Sequence, residues 1–178
     1  MIAAIVLAAG GSTRYGRPKQ HELLPTVLAA LARSPVDEVV VVAGAHRLDL
    51  GARPGVRVVD AADWERGPGA SLRTGLGALA PHVSHALVVL ADGPALDERA
   101  VARVVERRDT APVLAATYDG RTRSHPVLLA RAAWADVPDE GARALVPALV
   151  DCSDLRAPGD VDYPEDAGAK NSDHKGIR

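Results

Sequence analysis

The residues best placed to do chemistry sit in one short stretch, Leu7-Ala8-Ala9-Gly10-Gly11-Ser12-Thr13-Arg14-Tyr15-Gly16-Arg17-Pro18-Lys19. Glycines let a turn close tightly and let peptide N–H groups converge on anionic oxygens without a Cβ in the way. Arg14 and Lys19 add full positive charges to that cradle. Lys19 is the only lysine before Lys170 in a chain that otherwise writes its cations as arginine. A compact ammonium in that loop suits phosphate oxygens, which it can approach as a point charge. The plain alternative is a glycine-rich turn with no ligand. Two known phosphate loops do not fit. Gly11 and Gly16 have the spacing of a P-loop, but Arg17-Pro18 follows where Lys and Ser/Thr are required. The intervals among Gly10, Gly11 and Gly16 also miss the dinucleotide fingerprint.

A second candidate is Asp92, just past the apolar run His85–Leu90. A carboxylate there suits Mg²⁺, which binds through one or two protein carboxylates plus substrate phosphates. Its alternative is a turn former, with Asp97 the better cap for the helix that follows. Gly69-Ala70-Ser71-Leu72-Arg73 has a serine between small residues, but Arg73 stands where a nucleophile elbow needs glycine. Ser71 therefore reads as a hydroxyl at a helix start, with free N–H groups beside it, or as that helix's cap. His82 and His85 have a metal-like interval without a second ligand pair and read as solvated.

These groups need a scaffold that brings them to one edge. Apolar runs recur at Ile2–Leu7, Glu38–Val42, Val56–Val59, His85–Leu90, Val113–Thr117 and Pro126–Leu129, and they are continuous instead of alternating. Strands covered by helices on both faces look like this. Helical patterns lie between them at Leu23–Ala32, Ala70–Leu79, Asp97–Arg108 and Gly141–Leu149. The alternation predicts a doubly wound, Rossmann-like α/β fold, a three-layer αβα sandwich with ligands at the carboxyl ends of its strands. Val113–Thr117 and Pro126–Leu129 have no room for a helix between them, so this pair is expected to be antiparallel and the sheet mostly parallel but mixed.

Length and charge narrow the function classes. The 178 residues suit one domain, expected over 1–166, with polar residues 167–178 as a flexible C-terminal tail or an added remnant. A net charge of −2 removes the broad attraction on which binding to nucleic acid or an anionic membrane relies. No stretch is long and apolar enough to span a bilayer, and one cysteine, Cys152, fits a reducing cytoplasm.

LAAGGSTRYGRPK resembles the LAAGxSxRMGxPK signature of the MobA-like nucleotidyltransferases, closest to the molybdenum cofactor cytidylyltransferase branch. Five further segments are similar to that family in order: Trp64–Leu76, Leu90–Pro94, His125–Leu129, Asp139–Arg143 and Asp160–Asp166. Tyr15, Gly93 and Tyr163 depart from the family's usual residues. The resemblance implies a nucleotide-diphospho-sugar transferase type of fold. It further implies transfer of a nucleoside monophosphate to a phosphorylated acceptor with release of pyrophosphate. Leu7, Ala8, Ala9, Gly10, Gly11, Ser12, Arg14, Lys19, Gly69 and Ser71 would bind the nucleotide, with Arg14, Lys19 and Asp92 catalytic. Asp92 and Asp162 would hold Mg²⁺, Asp160 competing with Asp162 for the second place. Ala9, and Pro18 before Lys19, favour CTP over GTP. The acceptor would be a molybdopterin-type phosphate, or else a sugar phosphate, methylerythritol phosphate or phospho-lactate-like acid. A nucleotide-binding module without turnover is the reading from another class. From its place between the hairpin and Asp139–Arg143, the acceptor is expected to meet His125 and Arg143, with Pro126 holding His125 extended. The bland reading of His125 is the solvated start of a buried strand.

Overall fold

In the computed structural model, residues 1–11 and 20–159 are described. Among them seven strands form one sheet: β1 (Ile2–Leu7), β2 (Glu38–Ala43), β3 (Val56–Asp60), β4 (His85–Leu90), β5 (Val113–Thr117), β6 (Arg123–Ala130) and β7 (Ala148–Asp151). Their order is β3-β2-β1-β4-β6-β5-β7, and β6 alone runs against the others. Chain order reverses between β1 and β4, where an open α/β sheet parts its loops into a crevice.

Both faces of the sheet are covered. Ala4 and Val6 of β1, Val39 and Val41 of β2, and Leu87 and Val89 of β4 join α1 (Gln20–Leu31) and α3 (Glu98–Glu106) in one apolar cluster. The alternate residues Ala3, Ile5, Val40, Val42, Ala86 and Val88 join α2 (Pro68–Gly77) in the other. This is why the strands read as continuous apolar runs: successive side chains enter opposite layers and both layers are core. The three-layer αβα sandwich expected from the sequence is the observed architecture.

The hairpin is as expected, with β5 and β6 antiparallel and a register shift between Ala115 and Ala116. Asp119 ties its tip, its carboxylate accepting from the amides of Arg121 (2.8 Å) and Thr122 (2.6 Å). The Thr122 side chain, together with those two amides, holds the Asp119 carboxyl well below the usual carboxylate range. Asp97 caps α3 by accepting from the Arg99 amide at 2.8 Å.

One expected element is absent. The helix anticipated over Gly141–Leu149 is a single 3-10 turn, Gly141–Ala144, followed by β7, which pairs in parallel with β5 at the sheet edge. Pro147 explains the difference, since it lacks the amide a helix interior needs and precedes an edge strand, where proline is tolerated. No helix among the described residues is long and apolar enough to cross a membrane.

Candidate active site

The site begins where β1 ends between two neighbours. Leu7 is in register with Val42 of β2 and Leu90 of β4. The ladders run one residue further on each side, Ala8 N–H donating to the Val42 carbonyl at 2.9 Å and Ala91 N–H to the Leu7 carbonyl at 3.0 Å. Past that point β1 and β4 part. A cleft of about 350 Å³ opens between them, lined by Leu7, Ala9, Gly10, Leu90 and Asp92 and roofed by Trp64, Gly67, Pro68 and Ser71. Five residues singled out from the sequence thus share one cavity: Leu7, Ala9, Gly10, Ser71 and Asp92. Ala8 is buried in the cluster with α1 and α3, and Gly11 follows Gly10 with its carbonyl toward His46. Ser12, Arg14 and Lys19, like Asp160 and Asp162, lie outside the described residues.

Helix α2 approaches the cleft differently from expectation. Its N-cap is Gly67, so Ser71 lies one turn inside and is not the cap. Nor are the first amides free: Pro68 has none, Gly69 N–H donates to the Asp139 carbonyl at 2.9 Å, and Ala70 N–H donates to Gly67 at 3.2 Å. A Cβ on Gly69 would stand 1.8 Å from the Pro138 carbonyl oxygen, so this glycine is a packing contact between α2 and the segment Pro138–Gly141. Arg73 secures the same segment, donating to the Val137 carbonyl (2.9 Å) and the Asp139 carboxylate (2.5 Å). That pairing holds the Asp139 carboxyl below its usual range. What α2 offers the cleft is the nearly buried Ser71, with Pro68 beside it.

On the far side of Asp92, β6 brings its entering end to the edge where β4 leaves. His125 lines a recess of about 30 Å³ with Leu90, Gly93, Ser124 and Pro158. Its Nδ1 is 3.3 Å from the Val88 carbonyl oxygen, which can only accept, so Nδ1 carries the proton. Burial pushes the imidazole below the ordinary histidine range, against the pull of the Val88 carbonyl. Arg143 is exposed on the 3-10 turn Gly141–Ala144 and lines neither cavity. Pro158 accepts from the Ala95 amide at 3.0 Å, so the last described residues cross the loop that follows Asp92.

Two contributors were not assigned to the site from the sequence. Trp64, the first residue of the family-like segment Trp64–Leu76, is half-buried and forms a wall of the cleft from the 3-10 turn Trp64–Arg66. His46 reaches the glycine-rich loop, its Nε2 lying 3.1 Å from the Gly11 carbonyl. Its place just beyond a strand's carboxyl end was the available signal.

A family profile for the MobA-like NTP transferase domain matches residues 4–151, from β1 through the last strand. The chain belongs to the MobA-like NTP transferase domain family. A MobA-like domain is a nucleotidyltransferase. Solved structures with the same fold include the Mycobacterium sp. strain JC1 homolog of Rv0371c, at 25% identity and TM-score 0.75, covering 94% of this chain and 93% of that one. Rv0371c of Mycobacterium tuberculosis in complex with manganese has 22% identity and TM-score 0.67, with 94% and 96% covered. A nucleotidyl transferase from Methanothermobacter, Mth528, has 20% identity and TM-score 0.72, with 94% of each chain covered. No curated protein matches the chain significantly.

Proposed function

We propose that this MobA-like domain transfers CMP from CTP to a phosphorylated small molecule, with a molybdopterin-type phosphate as acceptor and Mg²⁺ as the metal. The observation that carries the reading is the cleft itself, which gathers the β1 exit, Ser71 and Asp92 at the carboxyl edge of the sheet. CTP is favoured by Ala9, and by Pro18 before Lys19, which resemble the cytidylyl branch of the family. One cysteine in the whole chain fits a cytoplasmic enzyme.

The donor set suits the metal. Asp92 is the one acidic residue among the described cleft-lining residues, and no group of three or more His, Cys, Asp or Glu that could hold an ion occurs among the described residues. A single hard carboxylate, with Asp162 as the candidate second, matches an ion that keeps waters and substrate phosphates as its other ligands. When bound, Mg²⁺ would neutralise charge on the phosphates. The manganese complex of Rv0371c agrees with a divalent ion in this fold.

The protein's residues would then orient and stabilise. An acceptor phosphate oxygen attacks the α-phosphorus, the bond to the bridging oxygen breaks, and pyrophosphate leaves with the electron pair. An anionic phosphate needs no general base. The loop amides, Arg14 and Lys19 would stabilise the developing charge, and Ser71 and Trp64 would border the nucleoside. The acceptor would lie beyond Asp92, toward His125 and Arg143.

The test is pyrophosphate release by the full chain with Mg²⁺, each of the four nucleoside triphosphates, and molybdopterin, sugar phosphate, methylerythritol phosphate and phospho-lactate as acceptors. CTP with the molybdopterin-type phosphate should turn over fastest. Preference for another acceptor would reassign the substrate, and nucleotide binding without release under any pairing would leave a binding module.

A further inference from the structure

The glycine-rich stretch after β1 is held by the loop that leaves β2 through two hydrogen bonds. Ala45 N–H donates to the Ala9 carbonyl at 3.1 Å. Gly44 permits that approach, since a Cβ on it would lie 2.7 Å from the Ala9 Cβ and 2.8 Å from both the Ala9 carbonyl oxygen and the Trp64 Cβ. Two residues further along each strand exit, His46 Nε2 stands 3.1 Å from the Gly11 carbonyl oxygen. A carbonyl only accepts, so Nε2 is the donor. The Ala9 and Gly11 carbonyls are both drawn toward the β2 exit, and the cleft lined by Ala9 and Gly10 is bordered on its other side by Leu90 and Asp92.

We propose that His46 is a positioning residue for triphosphate binding: by donating from Nε2 to the Gly11 carbonyl, it holds Gly11, the neighbour of cleft-lining Gly10, in one orientation. His46 need not touch the nucleotide. Its contribution is to fix beforehand a peptide that would otherwise have to be ordered when phosphate arrives, so its loss should appear as weaker affinity. The proposal rests on the nucleotide reading above.

Reach separates this role from general packing. A glutamine can place its side-chain amide near the position of Nε2, whereas asparagine is about one bond shorter and reaches only the Nδ1 position. Binding of Mg²⁺–CTP, and separately of Mg²⁺–pyrophosphate, to the full-length protein should be measured by calorimetry for wild type, His46→Gln and His46→Asn, with Tm recorded for each. His46→Asn should weaken both ligands about fivefold to tenfold, the size of one lost hydrogen bond. His46→Gln should recover affinity to within about twofold of wild type, and Tm should not follow the affinity series. Equal affinities in all three proteins, or equal weakening in both variants, would overturn the positioning role while leaving the nucleotide reading intact. Failure of the wild type to bind any nucleoside triphosphate would overturn both.

Discussion

Gly69 and Asp139, seventy residues apart in sequence, meet through a 2.9 Å amide-to-carbonyl bond that seats the start of α2 on the turn Pro138–Gly141. The contact is close enough that a methyl group would have to displace backbone, since its carbon would lie 1.8 Å from the Pro138 carbonyl oxygen. Gly69→Ala should therefore lower stability by about 2 to 3 kcal/mol through overpacking and loss of that bond. Because Pro68 and Ser71 line the cleft, the same substitution should raise KM for the triphosphate. Chemical denaturation and steady-state kinetics would check the two effects; unchanged stability would remove the packing argument.

Asp92→Asn preserves size and much of the hydrogen bonding while removing charge. Turnover should fall by about 10² or more, with Tm nearly unchanged, and added Mg²⁺ should not restore the wild-type rate. A rate within threefold of wild type at saturating metal would eliminate Asp92 as the metal carboxylate.

Lys19→Ala is expected to reduce kcat by about 10² to 10³ with little effect on folding, because an ammonium facing phosphates acts by stabilising charge. Lys19→Arg should recover only part, the guanidinium being a wider, planar group. Wild-type pyrophosphate release by the alanine variant would exclude the phosphate role.

His125 makes two separable expectations. His125→Ala should raise KM for whichever acceptor supports turnover while leaving Kd for CTP within about threefold, or roughly 0.7 kcal/mol. Parallel losses for both ligands would move the acceptor elsewhere. The second expectation concerns pH. Burial lowers the folded pKa of His125 from the ordinary 6.5, so the unfolded chain binds a proton that the native state refuses. Stability from this source is complete above pH 6.5 and declines as pH falls below it. His125→Gln should flatten that limb in a Tm series. Asp154, held down to about 2 by Arg103, acts in a separate window, its contribution lost only as pH falls from 3.8 toward 2.

Most of the scaffold was legible because its strands are buried on both faces. β1, β4 and β5 begin and end at the residues where their apolar runs do, and β2 and β3 each extend one residue further. β6 starts three residues earlier than its apolar run, since Arg123, Ser124 and His125 are polar and the first two are paired across the hairpin to Thr117 and Ala116. β7 left almost no signal: four residues at an edge, only Val150 buried. Asp92 and the glycine-rich loop could be located from strand ends alone. His46 also follows a strand's carboxyl end and Trp64 opens a family-like segment, but that both reach the cleft depends on how closely the β2 exit and the 3-10 turn approach β1, which no local spacing encodes.

The reversed direction of β6 has a consequence for how this fold can diverge. A residue presented from the exit of a parallel strand sits on a crossover loop, and changes in that loop move it. His125 is presented from a strand entrance flanked by β4 on one side and β5 on the other, with its Nδ1 fixed on Val88. Changes in length at the hairpin tip, Asp119–Thr122, therefore leave in place the Val88 carbonyl on which the imidazole is fixed, because that acceptor belongs to β4 and not to the hairpin. The hairpin thus separates two kinds of variation: its tip is open to change in length and composition, while His125, three residues past the tip, is anchored to a strand outside the hairpin.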